Sequence, residues 1–385
     1  MADLMSVAES VLGRARGGED LEAYAIHNLG VTIEAGADGQ VRHVERAETR
    51  GVGVRLIKGL RLGYASTSDL SAAALTRAVD RARDNALVTD RDRANRLPIP
   101  APMSAVAAAG PSATADISSR APASLDERIA LTTRLARQVV ALDPRVRAFD
   151  TAAYHDEQTE AAVASTRGVN AAFDRRWVQL TVDAIGEDRY GPVSDSAFRC
   201  APDLDDIDVD LLARDAVGRT VRLLGSEATS STGPAVLLDP TVVATLLSAV
   251  GRACSGGPMS SGRSPFAGSL LTSVAAPCVT LVDDGTLLTS PAASTHDDEG
   301  VPRRRTELIS RGVLVAALHS TTTAVAIGDG ASSTGNARRA NYKVTPRAAP
   351  TTLLLAPTTS LDQIFADNPD AVYVQQLVGA GSGLN

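Results

Sequence analysis

Lysine is nearly absent: it occurs only at Lys58 and Lys343. The net charge is −7, and the only basic block is Arg303-Arg304-Arg305. Sequence-independent nucleic-acid binding needs a basic face, so that class is excluded. Cysteine is scarce as well. Cys200, Cys254 and Cys278 are widely spaced, odd in number, and form neither a C-x-x-C pair nor a zinc-ribbon spacing. That rules out a disulfide framework and predicts buried, reduced thiols. Aromatics make up only 3% of the chain, so alanine, valine and leucine must fill the interior. No apolar run approaches the roughly 20 residues needed to span a bilayer, and no membrane partner is expected. Met1-Ala2-Asp3-Leu4 lacks a basic region followed by an apolar stretch. No secretory signal is visible there, and a cytoplasmic protein is the expectation. No internal repeat is evident.

What is present suits a folded enzyme-sized chain. The 385 residues are 44% hydrophobic, enough for two or three cores. The pattern predicts a helix over residues 3–16, strands over 21–35 and 41–48, and a hairpin over 50–66 turning at Lys58-Gly59. Asp69 is expected to cap a helix over 70–86. Residues 98–123, with Pro98, Pro100, Pro102, Pro111 and Pro122 among alanine and serine, read as a linker. Ser124-Leu125-Asp126-Glu127 is a capping box opening a helix that stops at Asp143-Pro144. Strands over 146–155, 160–165 and 175–185 follow, then a helix over 209–224. Asp239-Pro240 is an N-cap with proline in the first turn, a strong helix start. Short strands dominate the remainder. The fold class expected is α+β: an N-terminal α+β region (1–97) with helices packed on a mixed or antiparallel sheet, the linker (98–123), a central α+β region (124–232), and a β-rich C-terminal domain (233–385).

The helix after Asp239 carries Leu246-Leu247-Ser248-Ala249-Val250-Gly251-Arg252. Other segments accompany it in order: Arg50-Gly51-Val52-Gly53-Val54-Arg55 with Gly63-Tyr64-Ala65-Ser66-Thr67; Val282-Asp283-Asp284-Gly285-Thr286; Asp297-Asp298-Glu299-Gly300-Val301-Pro302; and Ser333-Thr334-Gly335-Asn336-Ala337-Arg338-Arg339. Together they resemble the TldD/PmbA family, also called the gyrase-modulator family. The resemblance implies a metallopeptidase-like C-terminal domain and, in the catalytic branch, a His-Glu-x-x-x-His helix that binds metal. Here Leu247, Ser248 and Arg252 stand at the first His, the Glu and the second His. Leucine has no donor atom, a serine hydroxyl is a poor zinc ligand and arginine repels a cation. The chain therefore resembles the TldE/PmbA-like branch, with no catalytic residue and no metal ligand of its own. That branch is implied to pair with a zinc-bearing TldD-like catalytic subunit and to process or degrade unfolded or modified peptides. Relatives are expected to continue past the equivalent of Gly383-Leu384-Asn385 with a turn and further strands, a tail that also supplies metal ligands in the catalytic branch. Residues 371–378 are then expected near an open sheet edge, and a homodimer is expected when the chain is alone.

Two loops are candidates for substrate contact. Asp297, Asp298 and Glu299 precede a Gly-x-Pro turn; the base expectation for such a run is structural, a solvated acidic turn or one paired with the adjacent arginines across a hairpin, and the other reading is a site for a cation or a peptide amine. Thr334, Gly335 and Asn336 suit a loop of convergent backbone donors, or an ordinary connection between strands. His155-Asp156-Glu157 places sequence-adjacent groups on opposite strand faces, a poor ligand set. Gly379-Ala380-Gly381-Ser382-Gly383 imitates a dinucleotide loop but has no helix after it. No G-x-S-x-G elbow or S-x-x-K pair exists. A free-standing peptide-binding scaffold and a repurposed tailoring enzyme are the rival readings.

Overall fold

The structure, a computed structural model, describes residues 4–100, 123–148, 152–226, 235–328 and 330–377. Most of the expected linker, the Gly379–Gly383 loop and the chain's last residues lie outside them.

The scaffold is one long antiparallel sheet. Strand β1 (Glu19–Ala35) pairs along its whole length with β2 (Val41–Lys58), and β3 (Arg61–Thr67) pairs back on the second half of β2. On its other edge β1 meets β5 (Ala152–Ser165), which pairs with β6 (Asn170–Asp188); β4 (Val146–Ala148) continues that edge, and β7 (Gly191–Ala201) closes the other side. The sheet therefore draws strands from both sides of the proline-rich stretch. The two strands expected at 41–48 and 50–57 are one strand, because Thr49 and Arg50 keep the β1 register without a break. Strand β7 was not foreseen: Asp188 to Gly191 makes a tight hairpin that the charged run Glu187-Asp188-Arg189 disguised.

Side chains alternate across this sheet. Odd positions of β1 face helices. Helices α1 (Leu4–Leu12) and α2 (Ala72–Val88) cover Leu21, Ala23, Ala25, Val52, Val54 and Leu56. Helices α3 (Leu125–Leu142) and α4 (Val209–Leu223) cover Ile33, Ala35, Tyr154, Leu180, Val182 and Ala184. The capping box at Ser124 and Glu127 forms as expected. Helix α2 is capped by Ser71 and not by Asp69, whose carboxylate instead accepts the Ser71 N–H.

The even face of β1 receives the C-terminal part. This part contains β8 (Val236–Leu238), α5 (Pro240–Ala253), α6 (Gly256–Ser260), β9 (Leu281–Asp284), β10 (Arg305–Ser310), β11 (Val313–Leu314), α7 (Thr321–Ile327), β12 (Ala337–Arg338), β13 (Arg347–Ala348), β14 (Leu353–Leu355), α8 (Leu361–Asp367) and β15 (Val372–Val374). Its main sheet runs β11-β10-β9-β14. Asp239 caps α5 with proline at the first turn, as the sequence predicts. The strand expected over 371–378 is shorter and runs parallel to β8 in a two-stranded ribbon. Tyr342 joins Tyr24, Ile26, Val163 and Phe173 in a small core between the C-terminal part and the sheet. Gly51 and Gly53 make that approach possible: a Cβ on either would run into Tyr342, and one on Gly53 also into the Tyr64 hydroxyl.

Candidate functional site

The contact between the sheet and the C-terminal part is a network of buried charge. Arg55 of β2 donates to Glu22 of β1 at 2.5 Å and to Glu299 at 2.8 Å. Arg339 binds the other oxygen of Glu22 at 2.5 Å and lies 4.8 Å from the Tyr24 ring centroid. Arg175 of β6 reaches Asp298 at 3.0 Å. Glu22, Asp298 and Glu299 are at most 1% exposed. Removing a single member strands its partner's charge in a dry interior, so the network fixes one docking geometry.

Both candidate loops belong to this frame, and the structure brings them together. Asp297 accepts the N–H groups of Glu299, Val301 and Ala337, each at 2.9 Å. Asp298 also accepts the Arg339 N–H at 2.7 Å, and Glu299 the Thr321 N–H at 2.8 Å. The three carboxylates are fully buried and bonded by protein groups. Of the two readings open in the sequence, pairing with arginine is the one seen, for Asp298 and Glu299. The partners are Arg175 and Arg55, not Arg303 to Arg305 across a hairpin. Thr334 accepts from the His319 N–H at 2.8 Å and donates to Asn336 at 2.7 Å. Asn336 in turn donates to Asp283 at 2.7 Å. The N–H groups of Thr334 and Gly335 go to His319 O and Ser333 Oγ, so they do not converge on an open site. Burial, with the nearby Glu299 charge, pushes the Asp297 carboxyl up to about 7, against the pull of its backbone donors. Burial also raises Asp283.

Beside the frame lies a cleft of about 570 Å³ between the sheet's even face and the C-terminal part. Tyr24, Ile26, Asn28, Thr159, Arg175 and Trp177 line it from the sheet, and Arg303, Arg338, Tyr342 and Thr351 from the other wall. These residues escaped the sequence reading. The available signal was the alternation of β1, where Glu22, Tyr24 and Asn28 fall on the face opposite Leu21, Ala23 and Ala25.

A second hollow of about 450 Å³ runs along α5, bordered by Thr241, Thr245, Ser248, Asp195, Phe198 and Gln375. Phe198 and the cleft-lining Cys200 lie on one face of β7, so the two hollows adjoin. Arg219 is held there by Asp239 at 2.9 Å and Asp195 at 3.3 Å. Of the three positions where the resemblance implies metal-binding residues, Ser248 opens into the hollow and donates to Ala244 O, Leu247 is half-buried against the C-terminal core, and Arg252 is exposed. This donor set does not fit a metal: α5 offers no imidazole or carboxylate, and Asp195 is already bound by Arg219 and Gln375. Among the described residues, no three His, Cys, Asp or Glu side chains group to hold a metal ion.

The thiols differ from expectation. Cys254 is buried and Cys200 half-buried, but Cys278 is exposed, since it sits in a loop just before β9. No helix of the described residues is long and apolar enough to cross a membrane.

The comparisons with known proteins follow this architecture. Three family models match in order: the PmbA/TldA metallopeptidase domain 1 over residues 21–86, its central domain over 120–224 and its C-terminal domain over 231–385. The chain is 28% identical over 355 residues to a metalloprotease TldD homolog of Haemophilus influenzae, covering 89% of this chain and 71% of that protein. It is 23% identical to the metalloprotease PmbA of Escherichia coli O157:H7, covering 89% and 73%. Its fold matches a crystal structure of a candidate DNA gyrase modulator from Thermotoga maritima at a TM-score of 0.82, with 19% identity, covering 99% of this chain and 84% of that one. It matches TldE from Thermococcus kodakarensis at 0.77, with 19% identity, covering 98% and 82%. With all three domains matched in sequence order and the α+β fold shared, the chain belongs to the PmbA/TldD metallopeptidase family.

Proposed function

We propose that this chain is a metal-free, TldE/PmbA-like subunit that completes a peptide-binding cleft for a zinc-bearing, TldD-like catalytic partner. One observation carries the reading: α5 packs on the C-terminal core yet offers no imidazole or carboxylate, with Leu247, Ser248 and Arg252 at the positions where the family resemblance implies a metal-binding set. The cleft that adjoins the hollow along α5 is walled by Tyr24, Trp177 and Tyr342 and braced by the buried charge network. Asp297, Asp298, Glu299, Thr334, Gly335 and Asn336 serve substrate binding indirectly, by holding the walls of the cleft in register. The substrate class is an unfolded or modified peptide in extended form, and the setting is the cytoplasm. Leu361 and Phe365 of α8, with Val236 of β8, are exposed apolar side chains of the C-terminal part. They favour association there, with a second copy when the chain is alone and with the TldD-like subunit when it is present.

The test is reconstitution. The purified chain should carry no stoichiometric zinc by elemental analysis and should leave unfolded casein intact. Adding a TldD-like subunit from the same genome should produce chelator-sensitive cleavage and a heteromer by light scattering. One tightly bound zinc per chain, or chelator-sensitive cleavage by the chain alone, refutes the assignment. A monomer unchanged by any such subunit favours a free-standing peptide-binding protein.

A further inference from the structure

The charge of the cleft is opposite to that of the chain. Four arginines line it, Arg175, Arg303, Arg338 and Arg339, against one carboxylate, Glu157, while the whole chain carries −7. Two of these arginines are neutralised in place: Arg175 by Asp298 and Arg339 by Glu22. The other two are not. Arg303 is 3% exposed, yet its guanidinium reaches only carbonyl oxygens, His296 O at 3.2 Å and Gly335 O at 3.5 Å. Among the described residues no carboxylate lies within ion-pair distance of it. Asp283, Asp297 and Asp298 act on it only from farther away, their oxygens being taken by Thr351, Asn336, Arg175 and the main chain. Arg338 is exposed, has no ion pair among the described residues, and stands opposite Arg347 across the β12–β13 pair.

A buried guanidinium bonded to carbonyls alone keeps most of its desolvation cost. An anion entering the cleft would offset it, and a carboxylate matches the planar fork with two parallel hydrogen bonds. The neighbouring walls are Tyr24, Ile26, Trp177 and Tyr342, which suit the apolar flank of a peptide better than a small hydrated ion. We propose that Arg303 and Arg338 form a carboxylate subsite that seats a peptide carboxylate in the cleft. The proposal rests on the reading of the cleft as a peptide site and adds which group of the peptide is recognised. The carboxylate has two sources, the peptide's C-terminus or an acidic side chain.

The chain's only tryptophan, Trp177, lies in the cleft and provides the signal. Fluorescence and calorimetric titrations would compare three N-acetylated peptides: an alanine-rich peptide with a free C-terminus, its C-terminal amide, and an amide carrying an internal glutamate. The free acid is expected to bind at least tenfold tighter than the plain amide, and more weakly as salt rises. Arg338→Gln, an exposed change that spares the fold, should weaken the free acid about fivefold and leave the plain amide unchanged. Arg303→Gln should abolish the difference between acid and amide, with circular dichroism to confirm folding. Tight binding by the glutamate amide assigns the subsite to a side chain; its absence assigns it to the C-terminus. If neither the free acid nor the glutamate amide binds better than the plain amide, the subsite is refuted while the peptide cleft stands. If no peptide binds at all, the cleft reading itself fails.

Discussion

Replacing Arg55 by methionine tests whether the buried charge network holds the C-terminal part on the sheet. The guanidinium is 3% exposed and bridges Glu22 of β1, at 2.5 Å, to Glu299 of the C-terminal part, at 2.8 Å. Methionine fills much of the same volume but donates nothing. Glu22 would keep Arg339, whereas Glu299 would keep only the Thr321 N–H and become a buried, uncompensated charge. Breaking a buried pair in this way costs about 3–5 kcal/mol, a large share of the roughly 5–15 kcal/mol typical of a folded chain. With an unfolding entropy of about 2.1 cal/mol/K per residue over 385 residues, that cost lowers the melting temperature by about 4–6 °C. The control is Arg42→Met. Arg42 pairs with Asp38 at 3.1 Å on the surface, with the two side chains 63% and 53% exposed, so its loss should cost less than about 1 kcal/mol. The double variant Arg55→Met, Glu299→Gln should recover at least about 1 kcal/mol of the single variant's loss, since it removes the stranded charge. Differential scanning calorimetry on the four proteins decides. If Arg55→Met costs no more than Arg42→Met, the network does not hold the two parts together.

Three further outcomes follow from the same geometry. The folded-state pKa of Asp297 is raised from 3.8 to about 7, so its contribution to stability is full below about pH 4 and lost as pH rises through about 7; Asp297→Asn removes that titration, so its melting temperature minus the parent's should climb between about pH 4 and 7 and level off above, and a constant difference would contradict the assignment. Gly53→Ala places a methyl group against the Tyr64 hydroxyl and the Tyr342 carbonyl and should cost about 1–3 kcal/mol as overpacking, read by urea denaturation; a neutral result would mean that Tyr342 is free to move away. Cys278 is exposed, whereas burial raises the Cys254 thiol to about 11, so a disulfide reagent should label one thiol quickly and Cys254 only after unfolding; loss of the fast phase in Cys278→Ser identifies the site.

The long elements were legible because their signals are local. The capping box at Ser124 and the Asp239-Pro240 start each carry a hydrogen bond within a few residues, and both helices begin where expected. The helical span of α1 was overread: it ends at Leu12, and the Arg14 and Ala15 N–H groups make turn bonds to Val11 and Leu12 instead. The strands of the C-terminal part were overread for another reason. Residues after Val313 look like a strand, but only Val313 and Leu314 pair with β10; the chain then leaves the sheet, Leu318 makes a single bridge to Ser255, and His319 meets Thr334. The site was the least legible part. Asp297 to Glu299 looked like a solvated acidic turn, and nothing local announces that Arg55 and Arg175, far away in sequence, will bury them. Arg303 was visible as one of three consecutive arginines, but its isolation inside the cleft depends on contacts that only the fold creates.

On the proposed metal-free reading, the same contrast explains how a metallopeptidase scaffold persists without metal ligands. On α5 the packing falls to Val250 and Gly251, which lie between the positions that the resemblance implies for metal ligands. Val250 lies against the core formed by Cys254, Leu281 and Leu308, and Gly251 lets Leu353 and Pro350 approach so closely that a Cβ would collide with them. The positions that the resemblance implies for metal ligands carry little of that load. Ser248 and Arg252 are exposed, and Leu247 adds apolar contact to the same core. On the proposed reading, exchanging a metal-binding set for these residues costs the fold little, and at Leu247 it gains burial. The charge network is placed the other way. Glu22, Arg55, Asp298, Glu299 and Arg339 are each at most 5% exposed and join distant segments, so losing any one would cost several kcal/mol. The exposed positions of α5 and the buried charge network are separate residues, so on the proposed reading a chain built in this way can lose metal ligands while keeping its cleft.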